Sequence, residues 1–128
     1  MPSAADQVSA AIVAADGAIP FNQFMQLALY GDAGFYTTTG QAGRRGGDFI
    51  TSPEVGPLFG TVIARALDAW WIELGSPSRF DVVECGAGPG TLARSVLRAD
   101  LESRAAITYV AVESSSAQRS SHPVEVIS

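Results

Sequence analysis

The chain holds 128 residues, 47% hydrophobic and 16% charged, which excludes a disordered tail and suits at most one domain with a small core. Eight basic residues stand against 13 acidic ones, a net charge of −5, so nucleic acid held by charge alone is excluded as a partner. One cysteine excludes an internal disulfide and a thiolate zinc cluster, so no metal is expected and a reducing compartment is.

All the basic residues are arginine, which with the abundant alanine reads as the codon bias of a GC-rich, bacterial genome. No apolar run reaches the ~18 residues of a membrane span. Met1 to Gln7 carries no basic residue, as a secretory or mitochondrial targeting segment would. A cytoplasmic protein without a membrane partner is expected.

In chain order, Ala4 to Ala18 predicts a helix, with Val8, Ile12 and Ala15 on one face and Gly17 as its stop. Pro20 opens a second helix, in which Phe21, Phe24, Met25, Ala28 and Leu29 follow the spacing of a core stripe. Phe35 to Thr39 and Asp48 to Thr51 predict two short strands. Between them Gly40 to Gly47 is a loop whose charges are Arg44 and Arg45. It reads as a solvated surface loop, or as a lid that offers positive charge. Ser52-Pro53-Glu54 is a helix start, with Ser52 as cap, and the main helix begins near Pro57. Its predicted core stripe is Phe59, Ile63, Ala66, Trp70 and Leu74, with Gly75 as stop. Phe80 to Cys85 predicts a buried strand, Thr91 to Leu101 a helix with Leu92, Val96 and Leu97 inward, and Ile107 to Val112 a second buried strand. His122-Pro123 interrupts a further helix, and Val124 to Ile127 begins a third strand.

Residues 80 to 113 thus read as one βαβ unit around the loop Glu84-Cys85-Gly86-Ala87-Gly88-Pro89-Gly90. Alternate glycines let a ligand approach the backbone, and the following helix turns its free amides toward it. A dinucleotide fingerprint wants a glycine where Thr91 stands. The observed spacing, with an acid two residues before the first glycine, is that of S-adenosylmethionine (SAM) methyltransferases. SAM carries a cationic sulfonium and no phosphate, so the carboxylate of Glu84 suits it. Glu113 ends the second strand, 23 residues after Gly90, where an acid can accept from both ribose hydroxyls. Taken singly, Glu84 reads as a helix-dipole partner and Glu113 as the first acid of the next helix. Cys85 reads as a small buried packing residue and His122 as a surface residue.

Ile19-Pro20-Phe21, Phe24-Met25, Ala28-Leu29-Tyr30, Gly34-Phe35-Tyr36, the stretch Gly47 to Glu54 and Phe59-Gly60, followed by Glu84 to Leu92, come in an order that resembles the MidA family. The resemblance covers the chain from Ile19 onward, and Gly-Asp-Phe-x-Thr-Ser-Pro-Glu is its most specific part. It implies a SAM-dependent methyltransferase with SAM as cofactor and a protein side chain as substrate. In the mitochondrial members, which are complex I assembly factors, that side chain is an arginine of a complex I subunit. It implies Glu84, Gly86, Ala87, Gly88, Gly90, Thr91, Glu113 and Ser114 as cofactor-binding residues, with Asp48, Thr51 and Ser52 as further candidates. No catalytic residue is assigned.

Family members run to several hundred residues. The expected architecture is therefore α/β: a helical region with short strands over residues 1–78, then the first half of a Rossmann-like parallel sheet over 79–128, truncated. An apolar strand with one bare edge invites self-association. A non-catalytic, partner-binding remnant and another nucleotide-binding module remain the alternative readings.

Overall fold

The computed structural model describes residues 1–38, 47–119, 122–124 and 126–127. The chain divides into two compact units, Met1–Ala42 and Gly43–Ser128. Compactness divides the chain ahead of the expected boundary at 78/79, because the long helix before that point shares a core with the strands and helix that follow it.

In the first unit, α1 (Ala4–Ala14) is capped by Ser3, whose amide and hydroxyl donate to Asp6 at 2.8 and 2.7 Å. It ends earlier than expected, and Gly17, at φ +106°, returns its amide to Ile12. Pro20 caps α2 (Phe21–Met25), which continues into a π-helical turn, Gln26–Tyr30. The strand expected from Phe35 is a series of turns through Thr38. The amides of Phe35 and Tyr36 return to the carbonyls of Ala28 and Leu29, and those of Thr37 and Thr38 return to Gly34. A backbone satisfied locally has no call for a ladder. Thr39 and most of the arginine loop, Arg44 and Arg45 included, lie outside the described residues.

The second unit holds the parallel sheet. Strand β1 (Phe80–Cys85) pairs with β2 (Ile107–Val112) in register Phe80↔Ile107 to Cys85↔Val112. Beyond β2 lies β3 (Val126–Ile127), giving the order β1-β2-β3. The expected segment Asp48 to Thr51 contributes a single bridge at Phe49 instead of a strand. Ahead of the sheet come α3 (Ser52–Val55) and α4 (Pro57–Glu73). The cap of α3 is Thr51, one residue before the expected Ser52. Glu54 accepts from the Thr51 amide at 3.2 Å and from its hydroxyl.

Between β1 and β2 runs α5 (Thr91–Arg98), which stops short of the expected Leu101 and is followed by a 3-10 turn, Glu102–Ala105. Asp68 of α4 fastens that turn, accepting from the amides of Glu102 and Ser103 at 3.0 Å each. Beyond β2 sits the short α6 (Ser116–Arg119).

The core lies between one sheet face and α4 with α5. Ala64, Leu67, Ala93, Val96, Leu101 and Tyr109 form it, with Ile63, Phe80, Val82 and Leu92 at its margin. The buried face of α4 is Gly60, Ala64 and Leu67, rotated from the predicted stripe. Trp70, expected in the core, is 54% exposed. The reason is size: Gly60 lies against Ser95 and Val96 of α5, and a close helix pair takes small residues at its seam. Trp71 instead donates its indole N–H to the Pro77 carbonyl at 2.9 Å. On the far face of β1, Asp81, Val83 and Cys85 are exposed, Val83 by 59%, so neither Val83 nor Cys85 is the buried residue the sequence suggests. Among the described residues β1 has one strand neighbour.

Candidate functional site

The site forms at the carboxyl ends of β1 and β2. There the loop Gly86–Gly90 leads into α5, and Gly86, Gly88 and Gly90 take φ of +68°, +53° and +75°. These are left-handed values that glycine adopts without a Cβ clash. A side chain at Gly86 or Gly88 would meet nothing within 4 Å, so both face open space. At Gly90 it would meet His122 Nδ1 and Pro123 Cδ at 2.9 Å each. The third glycine is therefore required by packing as well as by its dihedral.

The loop amides are already used. Gly86 and Ala87 donate to the Val112 carbonyl at 2.8 and 3.1 Å, and Gly90 donates to Ala87 at 3.0 Å. Gly88 donates to the Glu113 carboxylate at 2.7 Å. Pro89 has no N–H. A pyrophosphate cradle needs such amides free to point at the ligand. This loop offers glycine surface and flanking carboxylates instead.

Glu113 is 9% exposed, and its two oxygens accept from Gly88 and, at 2.7 Å, from the amide of Ser115. Each oxygen keeps a lone pair for a ligand hydroxyl. Ser114 is exposed beside it, and Arg119 donates to the carbonyls of Glu113 and Ser114 at 2.8 Å each, holding the β2–α6 turn.

Glu84 is half-buried and accepts from the Tyr109 hydroxyl at 2.8 Å. Burial pushes its carboxyl above the usual glutamate range, Tyr109 and His122 pull it back, and Glu54 adds to the rise. Burial and the Glu84 charge push the Tyr109 phenol well up, so it stays a donor. The α3 turn packs on α5.

A carboxyl raised on folding stabilises the native state at pH below its ordinary value, and that contribution is lost as pH rises through the raised one. Glu84→Gln keeps an acceptor for Tyr109 and removes the buried charge. Its melting temperature is expected to match wild type in acid and to exceed it at neutral pH, in thermal scans across about pH 4 to 8.

The structure thus brings together Glu84, Gly86, Ala87, Gly88, Gly90, Thr91, Glu113 and Ser114. Thr51 and Ser52 sit on the α3 turn, and Asp48 precedes it, exposed. Next to that turn an apolar groove of about 540 Å3, lined by Val55, Leu58, Phe59 and Val62, lies along the start of α4. Among the described residues no group of three or more His, Cys, Asp or Glu could hold a metal ion, and no helix is long and apolar enough to cross a membrane.

A family model described as "Putative S-adenosyl-L-methionine-dependent methyltransferase" matches residues 62–123, from α4 through Pro123. A solved COG1565 superfamily member from Burkholderia thailandensis, bound to S-adenosyl-homocysteine, superposes with a TM-score of 0.73 at 32% identity over 92% of this chain and 31% of that one. The likeness is to SAM-dependent methyltransferases, and the family model matches just under half of this chain. The chain is 44% identical, over 75% of its own length, to the mitochondrial protein arginine methyltransferase NDUFAF7 homolog of Drosophila melanogaster. It is 36% identical over 64% of its length to the NDUFAF7 protein of Homo sapiens. The chain spans 22% and 19% of those two relatives.

Tyr109 and His122, which the sequence alone does not place here, also meet Glu84 and the loop. The parallel register offered a signal for Tyr109, which stands on the sheet face shared with Glu84. His122 had none, because its approach to Gly90 is tertiary.

Proposed function

We propose that residues 79–128 carry the adenosyl-binding half of a SAM-dependent methyltransferase site, that residues 1–78 form the region leading into it, and that the whole protein methylates a protein arginine. The observation that carries this reading is the loop whose amides are engaged internally while Gly86 and Gly88 face open space. It suits a cofactor without phosphate and weighs against a nucleotide module that grips pyrophosphate. The residues fit the cofactor. Gly86 and Gly88 would lie under it, Glu113 would accept from its ribose hydroxyls, and Glu84 would face its cationic end. SAM supplies the methyl group on a sulfonium. This chain's residues bind and orient it, with Thr91, Ser114, Asp48, Thr51 and Ser52 as the outer candidates.

The relatives named as protein arginine methyltransferases support an arginine acceptor on a protein substrate. The bacterial solved neighbour, the all-arginine basic set and the single cysteine support a bacterial, cytoplasmic protein. The far edge of β1 and exposed Val83 favour self-association.

Glu113→Ala leaves the Gly88 and Ser115 amides without their acceptor and removes the ribose contact. It is expected to weaken S-adenosyl-homocysteine binding by about 1.5–3 kcal/mol in calorimetry, and unchanged affinity would remove Glu113 from the site. The activity itself is tested with the whole protein by radiolabel transfer from SAM to a protein lysate, followed by hydrolysis to amino acids. Label in methylarginine is expected, and label in another residue would overturn the acceptor.

A further inference from the structure

The glycine loop is gripped at Gly88 from both sides. Its amide donates to Glu113 at 2.7 Å, and its carbonyl lies 2.6 Å from His122 Nε2. A carbonyl oxygen only accepts, so the imidazole must donate, which places a hydrogen on Nε2. The ring reaches the loop from the chain beyond α6. The ring and Pro123 fill the space that a side chain at Gly90 would need, and Pro123 also ends the family match. His122 thus meets two of the three glycines, while Gly86 and the Cα of Gly88 stay open. It is half-buried, contrary to the surface position expected from its sequence neighbours.

We infer that His122 is a positioning residue for the cofactor. Its Nε2–H holds the Gly88 carbonyl so that the left-handed loop stands ready before the ligand arrives. The inference rests on the proposed SAM reading. Without the donor, the ψ torsion of Gly88 loses a restraint that the fixed φ of Pro89 does not supply, and binding must then order it. Glu113 fixes one end of the residue and His122 the other, so removal of either loosens Gly88 within a loop that Gly86, Ala87 and Gly90 still tie down.

His122 is the chain's one histidine, so its imidazole signals need no assignment. The test measures S-adenosyl-homocysteine affinity by calorimetry and the ligand-free melting temperature for wild type, His122→Ala, His122→Asn and His122→Gln. A nitrogen-15 imidazole spectrum of the wild type accompanies them. Gln carries its amide nitrogen out to the reach of Nε2, whereas Asn reaches only as far as Nδ1. The expected result is a spectrum of the Nε2–H tautomer, affinity about tenfold weaker in the Ala and Asn variants, and recovery in the Gln variant to within about threefold. Affinity that follows melting temperature instead of donor position overturns the inference, because a merely structural residue behaves that way. So does equal binding by all four proteins. If wild type binds but its imidazole shows a water-averaged tautomer mixture, the inference falls and the SAM reading stands. If wild type shows the Nε2–H tautomer but does not bind, the SAM reading falls and takes the inference with it.

Discussion

Gly88→Val is expected to abolish binding of S-adenosyl-homocysteine while leaving a folded protein. Two separate costs meet at this residue. Its φ of +53° is disfavoured for a β-branched side chain, which costs about 1–3 kcal/mol of stability. Beyond its own chain neighbours nothing lies within 4 Å of the position a Cβ would take, so tertiary packing adds nothing to that cost. The branched side chain instead enters the open space assigned to the cofactor. Gly88→Ala carries the backbone strain with less bulk and should lie between Val and wild type in affinity. Calorimetry and a thermal melt on the same samples separate the two effects. A folded Val variant that binds as wild type does would remove Gly88 from the site.

Gly60→Val is expected to show the opposite pattern, a large loss of stability at a position that touches no ligand. A Cβ at Gly60 would overlap the Ser95 side chain and stand 3.1 Å from the Val96 backbone nitrogen. Val96 is fully buried, and α5 is held against α4 through this seam. The backbone of α5 can give way only by leaving the core. Overpacking costs about 1–3 kcal/mol for a single added carbon, so Gly60→Ala belongs in that range and Gly60→Val above it. Urea titration of the three proteins checks the order. A Val variant as stable as wild type would contradict the close packing of α4 on α5.

The βαβ unit was legible because its signals are local. Apolar runs bounded by Gly75 and Gly86 marked β1, and the glycines with positive φ marked the loop itself. Glu113 was legible from its distance along the chain, since a crossover of standard length returns β2 beside β1 and brings the two strand-end acids to one end of the sheet. The face of α4 was not legible. Periodicity ranks residues by hydrophobicity and chose Trp70, whereas the seam is set by closeness and took Gly60 and Ala64. The strand expected from Phe35 failed for a related reason. Its aromatic and β-branched residues suit a strand, but the preceding π-helical turn leaves the Ala28 and Leu29 carbonyls to accept from Phe35 and Tyr36. Tyr36 then stacks on Tyr30 with ring centroids 5.4 Å apart. Cys85 and Val83 were assigned to a buried strand because parallel strands are commonly covered on both faces, and here the far face of β1 is exposed. The role of Gly90 was only half legible: spacing put it in the cofactor set, and its contact with His122 and Pro123 depends on a return of the chain that no local pattern encodes.

The loop is proposed to receive an S-adenosyl compound and not a phosphate-bearing nucleotide. This is tested most directly by calorimetric titration of the 128-residue chain with S-adenosyl-homocysteine, NAD and ATP in one buffer. Saturable binding of S-adenosyl-homocysteine is expected, at least about tenfold tighter than either phosphate ligand, a difference of about 1.4 kcal/mol. Tighter binding of NAD or ATP, or no difference among the three, would contradict it.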